Sequence, residues 1–228
     1  MITTRMTPRL LPTAGLALTL MLGSMIGAKA ATIEFQEDFS GASEGGYSPG
    51  SSGGTGVIGG TQFKVLTGDV DVIGPANYTC VANAAIKCVD LIGSSGQGTI
   101  QSTVGIDLHA GDTYTISYTD VLQGFATGSS PSLAYTVSLG SHVFPASSVP
   151  SVAVMSFMFT ASVDELGALL TFATIGNIDN VHGPVISGIT VSSVAATPIP
   201  AALPLFASAL GGLGFVGWRR RKSARSAA

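Results

Sequence analysis

Residues 112–120 read Asp-Thr-Tyr-Thr-Ile-Ser-Tyr-Thr-Asp, and this stretch decides the fold class. Tyr114, Ile116 and Tyr118 alternate with Thr and Ser. A period of two puts the large side chains on one side of an extended strand and the hydroxyls on the other. Aromatic and β-branched residues suit a pleated, half-buried surface. Ala110-Gly111-Asp112 just before it is a turn signal.

The same period recurs outward from this strand. It runs through Ile100, Val104 and Ile106, through Leu133, Tyr135, Val137 and Leu139, and through Ile189 and Val191. Residues 152–159 are apolar in both phases, which predicts a central strand with Phe157 and Phe159 in the core. Gly128-Ser129-Ser130-Pro131, Gly176-Asn177 and Gly183-Pro184 punctuate the runs. No convincing amphipathic helix is present; residues 164–170 hold a helical turn or two at most. Residues 41–60 carry nine Gly and read as a mobile loop. About eight to ten short strands with this spacing predict an all-β domain over residues 31–196, a jelly-roll β-sandwich.

The two ends read as addresses. Arg5 and Arg9 precede a short apolar run over residues 14–26, and Ala28-Lys29-Ala30 forms an A-x-A cleavage site with Ala31 as the first mature residue. As a helix that run covers roughly 20 Å, short of the ~30 Å hydrocarbon core, so residues 1–30 read as a cleaved signal helix rather than an anchor. At the other end Thr197, Pro198, Ile199, Pro200 and Ala201 form an extended, proline-punctuated segment. An apolar, Gly-rich run follows, and Trp218 stands directly before Arg219, Arg220, Arg221 and Lys222. Residues 201–218 would span ~27 Å as a transmembrane helix, with the aromatic ring at the headgroups and the basic cluster inside.

This order of proline motif, apolar helix and Arg-rich tail resembles the sorting signal of PEP-CTERM proteins, in the VPLPA-CTERM variant. Thr197 and Ile199 stand where that motif has Val and Leu. The resemblance covers about 30 residues over 197–228. It implies a Gram-negative host, recognition by an exosortase-like membrane protease, and association with exopolysaccharide at the cell surface or in a biofilm matrix.

A second, pattern-level resemblance covers roughly 110 residues of the middle. Cys88-Val89-Asp90-Leu91-Ile92-Gly93-Ser94, then residues 108–118, then Gly183-Pro184-Val185-Ile186-Ser187-Gly188-Ile189-Thr190-Val191, follow the order seen in galactose-binding-like jelly rolls. Ser187-Gly188 stands where that family has Asp-Asn, so the resemblance does not carry over any calcium or structural role of that Asp.

Charge excludes one class of partner. All thirteen acids lie between residues 31 and 197, against Lys64 and Lys87 alone. Nucleic acid and anionic membrane surfaces need clustered Lys and Arg, so neither is expected to bind this region. Motifs for catalysis are weak. Gly41-Ala42-Ser43-Glu44-Gly45 matches G-x-S-x-G, but Gly46-Tyr47-Ser48-Pro49-Gly50 cannot readily supply the helix a nucleophile elbow needs. His109, His142 and His182 are isolated from one another in sequence. No cofactor is expected. Asp69 and Asp71, on one face of a strand, with Glu37 and Asp38, are the candidate oxygen ligands should calcium bind. Nothing marks a carboxylate pair facing across a cleft, as glycoside hydrolysis would require. The only Trp is Trp218, so residues 31–196 lack the usual sugar platform; Tyr47 and Tyr78 are the loop tyrosines.

Cys80 and Cys88 are the only cysteines, with seven residues between them. Export to an oxidising compartment predicts that they pair. Closing so short a loop should stabilise by about 2.5 kcal/mol in the chain-entropy model. Together these features predict a non-enzymatic, exported surface or matrix protein. A carbohydrate-binding module for extracellular polysaccharide is the alternative, and a secreted hydrolase the third reading.

Overall fold

The computed structural model describes residues 30–74, 87–93, 96–122, 133–148, 152–175 and 183–196, together with Phe206, 208–215 and Trp218. Among them sixteen strands follow in order. They are β1 (Thr32–Glu37), β2 (Gly45–Tyr47), β3 (Phe63–Thr67), β4 (Val70–Ile73), β5 (Cys88–Asp90), β6 (Ile92–Gly93), β7 (Gly96–Gln97) and β8 (Thr99–Ser102). Then come β9 (Ile106–Leu108), β10 (Thr113–Leu122), β11 (Leu133–Leu139), β12 (His142–Ser148), β13 (Ala153–Thr160), β14 (Glu165–Ala168), β15 (Leu170–Thr174) and β16 (Pro184–Val194).

Two antiparallel sheets form a β-sandwich. The first runs β13-β10-β16-β5-β4-β2, with β1 also paired to β16; the second runs β12-β11-β15-β8-β3. Strands consecutive in the chain keep crossing between them: β3 lies in the second, β4 and β5 in the first, β8 in the second, β10 in the first. The alternation read from the sequence sets the inner faces. Tyr114, Ile116 and Tyr118 of β10 are at most 1% exposed, and Tyr135, Val137 and Leu139 of β11 are fully buried. An aromatic seam joins the sheets across the core. Phe39 packs on Phe63 at 5.6 Å between ring centres, Phe63 on Phe172 at 6.3 Å, and Phe172 edge-on to Tyr118 at 5.1 Å.

Several expectations are corrected. Residues 152–159 do not form a central strand. Among the described residues β13 is the edge of the first sheet and pairs with β10 alone, and Val154 and Met158 are 75% and 71% exposed. Phe157 and Phe159 are half-buried and pack against the core from that edge, where Phe144 of β12 stacks on Phe157 at 5.1 Å. The apolar outward residues made an edge read as a centre. Residues 164–170 are extended, not helical: they supply β14 and the start of β15. The Glu165 carboxylate accepts the backbone N–H of Ser141 (3.0 Å), and the Gly167 N–H donates to Asp107 (2.8 Å), so long-range bonds replace a helical ladder. Val104 lies exposed in a turn between β8 and β9 rather than in a strand.

The Gly-rich segment is built into the domain instead of hanging from it. β2 extends the first sheet, and Ala42 and Ile58 are buried. Gly41 and Gly60 touch backbone to backbone with no room for a Cβ on either, and Gly60 has φ +77°. Glycine is needed there for contact, not for looseness.

At the C-terminal end Phe206, residues 208–215 and Trp218 are helical. Among the described residues no helix is long and apolar enough to cross a membrane, so the 201–218 span is not seen as such. The signal segment up to residue 29 (Ala28 included), Cys80, the motif at 197–201 and Arg219, Arg220, Arg221 and Lys222 lie outside the described residues.

Candidate functional site

Two groups of buried acids stand out chemically. The first is on β10. Its period of two carries on past Tyr118 to Asp120, which therefore points into the core and is 1% exposed. The Tyr135 hydroxyl donates to Asp120 Oδ2 at 2.9 Å and the Ser148 hydroxyl donates to Oδ1. Tyr118 and Tyr135 share a hydrogen bond at 2.8 Å. Burial, with the Asp120 carboxylate nearby, pushes both phenols well above their ordinary range, so both remain protonated donors. Ser148 is fully buried, and no substrate reaches the network from solvent. Its chemistry is that of a satisfied polar core, which fixes how β10, β11 and β12 meet.

The second group lies on the first sheet. Asp71 of β4 and Asp90 of β5 are register partners, so their side chains share one face. Val72 and Val89, one residue along, belong to the main core, which places the two acids on the opposite face. A small apolar cluster of Ile73, Cys88 and Val185 sits beside them. Asp90 is 3% exposed and accepts the Ile92 N–H at 2.9 Å and the Gly183 N–H. Gly183 has no space for a Cβ because the Asp90 carboxylate occupies it. Burial pushes Asp90 up to about 8, and Asp71 adds to the rise. Asp71 is raised too, by burial first and then by Asp69. The pair favours holding a proton, and among the described residues Asp90 is buried.

The remaining candidates disperse. Glu37 does not join Asp69 and Asp71. Its Oε1 accepts the Phe39 N–H at 2.8 Å and its Oε2 the Gln62 N–H at 2.7 Å. Phe39 sits at φ +58°, a strained position for a side chain, and Glu37 holds it there. Asp38 accepts the Ser40 N–H at 2.9 Å. Both acids line an open polar depression of about 450 Å³ with Gln36, Gly60, Thr61 and Gln62. Among the described residues no group of three or more His, Cys, Asp or Glu is arranged to hold a metal. Glu37→Ala should destabilise by about 2 kcal/mol, because two backbone donors lose a charged acceptor; urea unfolding would measure it, and a loss under about 0.5 kcal/mol would contradict the role.

Ser43 is exposed, and β2 rather than a helix follows it, so no nucleophile elbow forms. The Tyr47 hydroxyl donates to the Ser43 carbonyl at 2.9 Å and its ring packs on the core, which removes it as a platform. His142 stacks on Phe159 at 4.0 Å, His109 is exposed in a turn, and His182 and Tyr78 lie outside the described residues. Cys88 is 2% exposed and is not a free thiol.

The outer face of β10 is uncharged. Thr113, Thr115, Ser117 and Thr119 point outward from β10. On the second sheet Ser138, Thr171, Gln101 and Lys64 form a cross-strand row of register partners, with Gln101 Nε2 donating to Thr171 Oγ1 at 3.2 Å.

The architecture is that of an antiparallel β-sandwich with sealed acids and hydroxyl-rich outer faces. No family model and no curated protein matches the chain. Among solved structures it is similar to the CBM22-1 xylan-binding domain of Paenibacillus barcinonensis Xyn10C, at 15% identity and TM-score 0.41, over 75% of this chain and 99% of that one. It is similar to the CBM22-1–GH10 modules of Clostridium thermocellum endo-1,4-β-D-xylanase 10B, at 14% identity and TM-score 0.42, over 74% of this chain and 30% of that one. A cyclase from Fischerella sp. TAU is similar at 16% identity and TM-score 0.38, over 74% of this chain and 90% of that one. Likenesses this distant carry no argument about what this chain binds or does.

Proposed function

We propose that the chain is a non-catalytic, exported jelly-roll protein of the surface or extracellular matrix of a Gram-negative bacterium, sorted through its tail by an exosortase-like membrane protease. One observation carries the reading. The domain closes at β16, and the Ala196 N–H is pinned to Asp112 at 2.7 Å one residue before the Thr197 motif. Beyond it Phe206, Leu210, Leu213, Phe215 and Trp218 are all between 53% and 70% exposed. A helical segment with such side chains left uncovered by its own domain needs another apolar environment. Pro198 and Pro200 lack the backbone N–H that a helical ladder needs, which suits the motif to a protease. The basic cluster keeps the far end on the cytoplasmic side of the membrane. Replacing Arg219, Arg220 and Arg221 with Ala in the native host should release the unprocessed chain from membrane fractions at least several-fold. Unchanged retention and processing would overturn the sorting reading.

The same export would oxidise Cys80 and Cys88 to a disulfide, which the absence of a free thiol at Cys88 supports. Thiol labelling of the unfolded, unreduced protein should find none; two labelled thiols would refute the bridge.

A carbohydrate-binding module is the second reading. It is favoured by the Ser138–Thr171–Gln101–Lys64 row, whose hydroxyl, amide and ammonium groups suit the hydroxyls of a neutral or acidic polysaccharide. Polysaccharide arrays would test it: binding should fall at least fivefold in Gln101→Ala, and no binding to any polysaccharide would contradict it.

A further inference from the structure

We infer that β13 is a self-pairing edge, joining two copies of this chain into one continuous sheet through antiparallel β13–β13 contact about Ser156. An unpaired edge presents a row of backbone donors and acceptors, and folded proteins usually blunt it. Among the described residues the other edges of the two large sheets are blunted. β12 carries Pro145, which cannot donate to a ladder. β3 carries Lys64 and a bulge between Val65 and Thr67. β2 is only three residues long, and β1 carries Glu34 and a bulge between Ile33 and Phe35. β13 has none of these devices. Its eight residues, Ala153 to Thr160, contain no charge, no Pro and no Gly, and pair with β10 in unbroken register.

The sequence of β13 also fits a second copy of itself. Antiparallel pairing about Ser156 sets Val154 of one copy opposite Met158 of the other, twice, and Ser156 opposite Ser156. These three and Thr160 are the exposed residues of the strand's outer face, and Val154 and Met158 are its exposed large apolar side chains. On the inner face the same register sets Met155 opposite Phe157, both already packed on the core, so the two cores would meet edge to edge. The contact is isologous and closes at two copies.

Cysteine substitutions in the full chain, purified in mild detergent, read the register directly. Directly opposed residues of an antiparallel pair have Cα atoms about 4.5–5.5 Å apart, within disulfide range. Ser156→Cys should therefore give a dimer on non-reducing electrophoresis after mild oxidation. Ser147→Cys, also exposed but on the Pro-protected β12, should stay monomeric. Mixed Val154→Cys and Met158→Cys chains should cross-link at least fivefold more than Val154→Cys alone. Adding Met158→Lys to Ser156→Cys should cut the dimer at least tenfold. A monomeric Ser156→Cys chain, or equal cross-linking by Ser147→Cys, would overturn the proposal.

Discussion

Replacing Asp120 with alanine is expected to lower the free energy of unfolding by about 3–5 kcal/mol. The carboxylate is the acceptor for both Tyr135 and Ser148, and all three groups are buried. Its removal strands two hydroxyl donors in a dry interior, at about 1–3 kcal/mol each, and leaves a small void. Against a total stability of roughly 5–15 kcal/mol, this is a large share. Tyr135→Phe removes one donor but keeps the ring, so the loss should be nearer 1–2 kcal/mol. Urea unfolding of the two variants beside the parent would check both values. A loss under about 1 kcal/mol for Asp120→Ala would mean that the network is not a structural keystone.

The second large effect is on pH dependence. Asp90 binds its proton far more tightly in the folded protein, with a value near 8 against an ordinary 3.8. Its folded value lies above its unfolded one. The contribution is therefore complete at acidic pH, below the ordinary carboxylate range, and is lost as pH rises through about 8. A shift of that size corresponds to stability on the order of 5 kcal/mol. Asp71, raised in the same direction, adds to the same slope. Asp90→Asn keeps the acceptor for Ile92 and Gly183 but cannot ionise. Its unfolding midpoint should fall much less than the parent's between pH 5 and 9, and it should exceed the parent at pH 9. Parallel slopes in parent and variant would show that Asp90 is not the titrating group.

Where one side of a strand is buried, the sequence was enough to read it. Tyr114, Ile116 and Tyr118 announced β10, and Tyr135, Val137 and Leu139 announced β11, because a period of two has no other stable reading. Asp120 was legible as well: it occupies the next inward position of the same period, and an acid at an inward phase marks a buried network. Position within a sheet was not legible. Residues 152–159 carry the composition of a central strand, and only pairing distinguishes an edge from a centre. The Asp71–Asp90 pair was out of reach for a similar reason. The two residues are nineteen positions apart, and their opposition depends on the β4–β5 register. The Gly-rich segment misled because glycine serves close backbone contact as readily as flexibility, and composition does not separate the two.

Intact-mass analysis of the protein isolated from its native host decides whether the tail is removed. A mature chain that begins near Ala31 and ends near residues 197–201 is expected, leaving the sandwich without the apolar helix and its basic tail. A sole stable species still ending at Ala228 would contradict it and leave the tail as a permanent part of the protein.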